Sequence, residues 1–220
     1  MDKILLALLI VTSSLVFGQH DTHEFCGTMY RHNELMKTDP EYRARREQIA
    51  KETKKYQKHL TGQKAPILTV PVVVHVIHTG QSVGSGANIS DAQIQSAITA
   101  LNEDYRKMPG TNGFGGGVDT EIEFCLAITD PNGQPTTGIN RVNGSSLSGY
   151  SSGGIRLQTT SGANEISVKA LSKWPKSSYY NIWIVTEIDG NNGGSGTQGF
   201  AYFPGAGSSV DGAVILYNAF

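Results

Sequence analysis

Pro71-Val-Val-Val-His-Val-Ile-His is the stretch that most narrows what this chain can fold into. Val70, Val72, Val73, Val74, Val76 and Ile77 fill both parities of an extended segment, so a strand over residues 67–78 has no polar face to turn to water. Such a strand belongs in the middle of a helix-covered sheet. Pro71 lacks the donor that a ladder uses and is expected at the strand's start. His75 and His78 point to opposite faces of the extended chain, so they read as hydrogen-bonded core or edge histidines and not as a metal-binding pair.

Partners for this strand follow in order. Residues 120–128 alternate, with Ile122, Phe124, Leu126 and Ile128 on one side and Glu121, Glu123 and Cys125 on the other. Asp130-Pro-Asn-Gly makes a tight turn, and residues 137–142 return as a strand. In Tyr180-Asn-Ile-Trp-Ile-Val, Ile182 and Ile184 face opposite to Trp183 and Val185. Residues 198–203 read as an exposed strand ended by Pro204, and Ala213-Val-Ile-Leu-Tyr as a short buried one. One helix is marked clearly: Ser90-Asp-Ala-Gln93 has the form of a capping box, and Ile94, Ala97, Ile98, Leu101 and Tyr105 recur at helical spacing before Pro109-Gly110. Glu103, Asp104 and Arg106 form its wet face. The fold class is α+β, a twisted mixed sheet of about five strands packed with one long helix.

Most of the 26 glycines come after Pro109, in loops that join short strands. Residues 143–164 are too long and too polar for a core element and are expected as a substrate-side flap or a mobile loop. The Gly/Asn loop 189–197 is not a phosphate cradle, since no helix with a Lys and Ser/Thr pair follows it. The sequons at Asn88 and Asn143 matter only in a host that glycosylates.

The front of the chain has a different character. Lys3, an apolar run from Ile4 through Phe17 and the small Gly18 give residues 1–19 the form of a secretory signal peptide. A membrane anchor needs about 20 apolar residues; Thr12, Ser13 and Ser14 interrupt this run. The mature protein is therefore expected to be secreted, with no membrane partner after cleavage. Residues 20–66 contain one long helical pattern, with Asp39 as N-cap, Pro40 at the first helical position and Glu41 in the first turn. Tyr42, Ile49 and Tyr56 make a stripe too thin to support a core, so the helix should lie on something else. Residues 61–66 end it and read as a linker open to activating cleavage. Up to Pro66 there are eleven Lys/Arg against eight Asp/Glu, and afterwards seven against eleven, so the formal charge of −1 divides into +3 and −4. Either a basic front rests on an acidic body, or the front is a solvated helix face. Nucleic acid is excluded as a partner, because the basic run belongs to an exported chain and has few aromatics.

The ordered set Pro71-Val-Val-Val-His-Val-Ile, the helix of residues 94–105, Ile122-Glu-Phe-Cys-Leu-Ala, Asp130-Pro-Asn-Gly, Thr137-Gly-Ile-Asn-Arg, Tyr180-Asn-Ile-Trp-Ile-Val and residues 198–217 resembles the pappalysin family of zinc peptidases, a branch of the metzincins that includes the cytophagalysins. The resemblance covers residues 67–220 and implies the upper subdomain of a metzincin catalytic domain. It also implies that residues 198–203 are the sheet edge above the active-site cleft, where the backbone of Gly199, Phe200, Ala201 and Tyr202 binds protein or peptide substrates as an added strand. The family's H-E-x-x-H-x-x-G-x-x-H run is absent, and none of His20, His23, His32, His59, His75 and His78 lies in such a run. Read this way, the chain is the front of a secreted zinc endopeptidase precursor: signal peptide 1–19, pro-region 20–66, and a catalytic domain 67–220 cut before its zinc helix and inactive alone. No catalytic residue lies within it; zinc ligands, and calcium sites where the protein has them, are expected C-terminal to Phe220.

The same resemblance gives His23-Glu-Phe-Cys-Gly-Thr a role. A pro-segment thiolate can take the open position of a catalytic zinc, which makes Cys26 a candidate cysteine-switch ligand with Gly27 allowing close backbone approach. Two alternatives stand beside it: a disulfide to Cys125, or two unpaired thiols with Cys125 buried. A different class of function is also open, a secreted non-catalytic β-rich module for adhesion or carbohydrate binding. A third is an inactive remnant that exposes residues 213–220 as an unpaired apolar edge.

Overall fold

The computed structural model describes residues 26–57 and 66–220; the expected signal peptide and most of the expected linker lie outside the described residues. β1 (Leu68–His78) runs through the middle of the sheet. Its first half pairs in parallel with β2 (Ile122–Leu126) and its second half with β3 (Ile139–Asn143), both on the same side. On the other side β4 (Tyr180–Val185) joins at Val72, also in parallel. β6 (Ala213–Leu216) continues the parallel order beyond β4, and β5 (Gly199–Ala201) ends the sheet as an antiparallel edge strand. The sheet has six strands, one more than the sequence suggested.

Pro71 sits inside β1 and not at its start, pairing with Cys125. The reason is geometric. Leu68 N–H donates to Glu121 and Val72 C=O accepts from Ala127, so the even residues bond toward β2. Pro71 faces the other side, where β4 has not yet begun, and its missing donor is not needed there.

Each face of the sheet has its own core. On one, Val72, Val74, Val76, Ile182 and Ile184 meet Ile94 and Ile98 of α3 (Asp91–Tyr105). Ser90 caps α3 by accepting from Gln93 N–H at 3.1 Å. The Gln93 amide does not close the expected box; it donates to the carbonyls of Tyr217 and Phe220 and ties the helix to the end of β6. On the other face Ile77, Trp183, Val185, Val214 and Leu216 are covered by Tyr150, Ile155, Leu157 and Val168. The cover is the stretch expected as a flap or mobile loop, together with α4 (Tyr150–Gly153) and α5 (Glu165–Ala170). Its polar composition hides well-spaced anchors: Tyr150 is fully buried, and its hydroxyl donates to Ile77 C=O at 2.6 Å. Gly154 shows how the coil packs so tightly, because at its positive φ a Cβ would stand 2.0 Å from Glu187 O. At about 1.5–3 kcal/mol for each fully buried large apolar side chain, both cores contribute strongly to the fold.

β6 lies between β4 and β5, so the apolar run 213–216 is an internal strand and not the unpaired edge of a remnant. The N-terminal segment forms α1 (Thr28–Thr38), unmarked in the sequence, and α2 (Pro40–Gln57). Asp39 caps α2 by accepting from Tyr42 N–H at 2.9 Å. Of the expected stripe, Tyr42 is buried, Ile49 meets the sheet domain near Gly205, and Tyr56 is 67% exposed. Among the described residues no helix is long and apolar enough to cross a membrane.

Candidate functional site

The backbone of β5 sets up the site. In an antiparallel pair alternate residues bond alternate neighbours. Gln198 C=O accepts from Leu216 N–H, so Gln198 and Phe200 face β6 while Gly199 and Ala201 face outward. A free edge of this kind accepts an added strand. Here the N-terminal segment takes it: Gly27 N–H donates to Gly199 C=O at 2.9 Å, and Ala201 N–H donates to the Thr28 hydroxyl at 2.9 Å. Cys26 bridges to Gly199 in parallel.

Gly27 is where the chain comes closest. A Cβ there would lie 2.4 Å from Leu157 Cδ2 and 3.3 Å from Phe200 Cβ, so space and not φ requires the glycine. Cys26 remains exposed, and its Sγ donates to Thr28 Oγ1 at 3.3 Å. It borders an open groove of about 370 Å³ walled by Gly199, Ala201, Ala213, Ile215 and Ala219. Cys125 is exposed too, on β2 at the far side of the sheet. Cys26 pairs outside β5, so five strand spacings of about 4.8 Å separate the two cysteines by ~24 Å across the sheet, well beyond the roughly 7 Å Cα separation that a disulfide spans.

The histidines do not assemble with them. His75 is fully buried, its Nε2 is 2.9 Å from Asn181 Oδ1, and it stacks on Trp183 at 5.1 Å. Burial pushes its pKa down to about 4, with the Asn181 bond opposing, so it is neutral at pH 7. His78 Nδ1 accepts from Gly80 N–H, and His32 Nδ1 is 2.8 Å from the Tyr42 hydroxyl. Among the described residues no group of three His, Cys, Asp or Glu could hold a metal ion. These residues therefore do not make a zinc site, and Cys26 is a single soft donor.

A second contact lies beyond the end of β5. Glu165, 5% exposed at the start of α5, holds Lys169 through Oε1 at 2.9 Å. Its Oε2 accepts from Arg31 Nη2 of α1 at 3.0 Å and from the Tyr202 hydroxyl at 2.7 Å. Lys169 is fully buried, donates to Val210 C=O at 2.5 Å, and sits 4.9 Å from the rings of Trp183 and Tyr202. Burial lowers the Lys169 pKa against the pull of Glu165. Burial, then the Glu165 charge, raises that of Tyr202 and keeps its hydroxyl a donor. The other basic contacts go to backbone: Arg45 Nε to Gly205 C=O at 2.7 Å and Arg46 Nη1 to Pro204 C=O at 3.1 Å, with Arg46 over the Phe203 ring at 5.1 Å. Among the described residues, the basic front thus rests on the body through one carboxylate and two carbonyls, not on a general acidic surface.

Of the sequence candidates, the fold brings Cys26, Gly199, Ala201 and Tyr202 to one edge, while Phe200 turns its side chain into the core. Arg31, Glu165 and Lys169 were missed. The one local trace was the Glu165–Lys169 pair at i,i+4, which on most helices is surface decoration.

Solved structures resemble this chain. A Glu→Ala variant of Tannerella forsythia promirolysin is 31% identical, with 89% of this chain and 60% of that chain covered and a TM-score of 0.59. Mirolysin in complex with a compound is 32% identical, covering 71% of this chain and 55% of that one, with a TM-score of 0.53. Tannerella forsythia mature mirolysin in complex with a cleaved peptide is 32% identical over the same shares, with a TM-score of 0.51. The chain spans 55–60% of the length of these relatives and shares their metzincin-like fold. No family model and no curated protein sequence matches it.

Proposed function

We propose that this chain is the front part of a secreted, pappalysin-type zinc endopeptidase precursor. Residues 20–66 form its pro-segment and residues 67–220 the sheet half of its catalytic domain. The carrying observation is that Gly199 C=O and Ala201 N–H, the outward groups of the edge strand, are occupied by Gly27 and Thr28. A peptide substrate would use those same groups, so the segment blocks binding by taking the substrate's place. The alignments support this division, since the pro-form relative covers 89% of this chain and the mature forms 71%. That one mature form holds a cleaved peptide supports peptides as substrates.

In this reading β5 orients the peptide backbone, and the exposed Cys26 thiol is the ligand that keeps the precursor latent. The zinc, when bound, supplies the activated water; its ligands and the general base are assigned to residues that follow Phe220. An apolar groove of about 620 Å³ lined by Val70, Leu101, Phe124, Tyr180, Ile215 and Phe220 supports this, as a surface that the following residues would cover.

The test is to read the coding sequence past Phe220, express the longer product, and assay casein or gelatin cleavage with and without a chelator. Chelator-sensitive cleavage that appears earlier in Cys26→Ala is the expected result. A product that cleaves nothing after loss of residues 20–66 would sink the reading and favour a binding module.

A further inference from the structure

The glycine-rich coil over the second face is held far more firmly than its composition suggests. Tyr150, Ile155, Leu157 and Ala163 are buried under it. Ala163 N–H donates to Gly154 C=O at 2.8 Å, and Arg156 N–H donates to Ala163 C=O at 2.9 Å. The Asp189 carboxylate holds the following turn by accepting from the N–H groups of Leu157, Gln158 and Thr159. Long irregular segments kept this rigid are a usual place for binding sites.

An open cavity of about 670 Å³ lies against this coil, within the size range of small-molecule sites. Ser148, Ser152, Thr160, Ser161, Asn164 and Ser167 contribute hydroxyls and an amide to its wall, and Arg156 is the one charged residue there. Arg156 is half-buried, and among the described residues its guanidinium has no hydrogen bond, ion pair or ring contact. The carboxylates that border the coil are already engaged, Glu165 by Lys169, Arg31 and Tyr202, and Asp189 by the backbone. No residue of the N-terminal segment lines the cavity, so it is open with that segment in place.

We propose that this cavity binds an acidic sugar, a hexuronate unit whose carboxylate pairs with Arg156 and whose hydroxyls meet the serine and threonine hydroxyls of the wall. A guanidinium presents two parallel donors that match the two oxygens of a carboxylate. A carboxylate alone fills little of the space. What fills the rest has to be polar, because a hydrocarbon occupant would take water from the wall hydroxyls and return no hydrogen bond. A ring bearing hydroxyls as both donors and acceptors satisfies a wall of the same kind. The coil is already ordered, so binding loses little conformational entropy. The site is independent of the peptidase reading, and it would let a secreted protein attach to an acidic glycan whether or not it cleaves peptides.

Glucuronate titrated into this chain, followed by thermal shift and by saturation-transfer NMR, should bind saturably at millimolar concentration. Glucose lacks the charge and acetate lacks the hydroxyls; each should bind roughly tenfold more weakly or worse, the scale of one charge-assisted hydrogen bond. Arg156→Gln should bring glucuronate down to the level of glucose, and Arg156→Lys should recover part of the loss without the bidentate geometry. Ser148→Ala with Ser167→Ala should weaken glucuronate several-fold and leave acetate unchanged, with urea midpoints close to that of the wild type confirming that the variants fold. No saturable binding of glucuronate by the folded wild type overturns the site. Acetate or sulfate binding as tightly as glucuronate would make it a site for simple oxyanions, and N-acetylglutamate binding as tightly would make it a site for acidic side chains; either overturns the sugar assignment. In the longer product, glucuronate affinity should be the same before and after removal of residues 20–66, whatever that product does to casein. A loss of affinity on removal would mean that the segment builds the site, and would also overturn the proposal.

Discussion

The sheet domain buries Val72, Val73, Val74, Val76, Ile77, Trp183, Ile184, Val185, Val214 and Leu216 completely, whereas α1 buries no residue and α2 buries only Tyr42. One region is held by packing, which is non-directional and adds up over a whole core. The other is held mainly by directional contacts among the described residues: two hydrogen bonds to β5, the Arg31–Glu165 pair, and two arginine bonds to the carbonyls of residues 204 and 205, with Tyr30 packed on the core edge, His32 and Arg46 against the Phe203 ring, and Ile49 beside Gly205. At about 1 kcal/mol net for each such bond, the segment adds far less to stability than the core does, and the proposed function expects it to leave without unfolding the sheet. The difference is one between a body held by its core and a segment held at its surface.

The sharpest way to break the comparison is to strike the body. Trp183→Ala removes the ring that stacks on His75 and faces Lys169, in a strand with no exposed core face. It should cost about 3–5 kcal/mol in urea unfolding. It should also release the segment, because the surface that carries it is lost.

A smaller effect comes from pH. His75 has its folded pKa depressed to about 4, against about 6.5 when unfolded. Between those values the unfolded chain binds the extra proton. Stability from this group is therefore complete above about pH 6.5 and falls as the pH drops toward 4, by up to about 3 kcal/mol. Urea midpoints at pH 7 and pH 4.5 check it, with His75→Gln expected to flatten the difference.

The smallest effect belongs to the cover. Arg45→Ala with Arg46→Ala should lower the unfolding free energy of the sheet, measured in urea, by less than about 0.5 kcal/mol, as exposed substitutions do. Limited proteolysis of α2 should meanwhile quicken several-fold. Equal loss in both regions would mean that segment and sheet form one cooperative unit.

Legibility in the sequence followed the same division. β1 and β4 are readable as unbroken apolar runs and α3 from its helical spacing, and the Ser90 cap is local. The cover over the second face was not, because Tyr150, Ile155, Leu157 and Ala163 are anchors spaced irregularly along a glycine-rich coil. Edge strand β5 follows from the family resemblance, but the seating of Gly27 on it does not: the resemblance gave Gly27 only a close backbone approach beside Cys26. Arg31 and Glu165 stand 134 positions apart, and no local pattern encodes a pair of that separation.

Amide hydrogen exchange at Ala201, in the wild type and in Gly27→Val, tests the central claim most directly. A valine Cβ at position 27 would stand 2.4 Å from Leu157 Cδ2, 3.2 Å from Thr197 Cγ2 and 3.3 Å from Phe200 Cβ, and with its two methyl groups against buried Leu157 it is expected to lift the segment from the edge. The account predicts that Ala201 is protected in the wild type and exchanges at least tenfold faster in the variant, while Phe200, whose backbone faces β6, is unchanged. An Ala201 amide that already exchanges freely in the wild type, or one whose protection survives the valine, would contradict it.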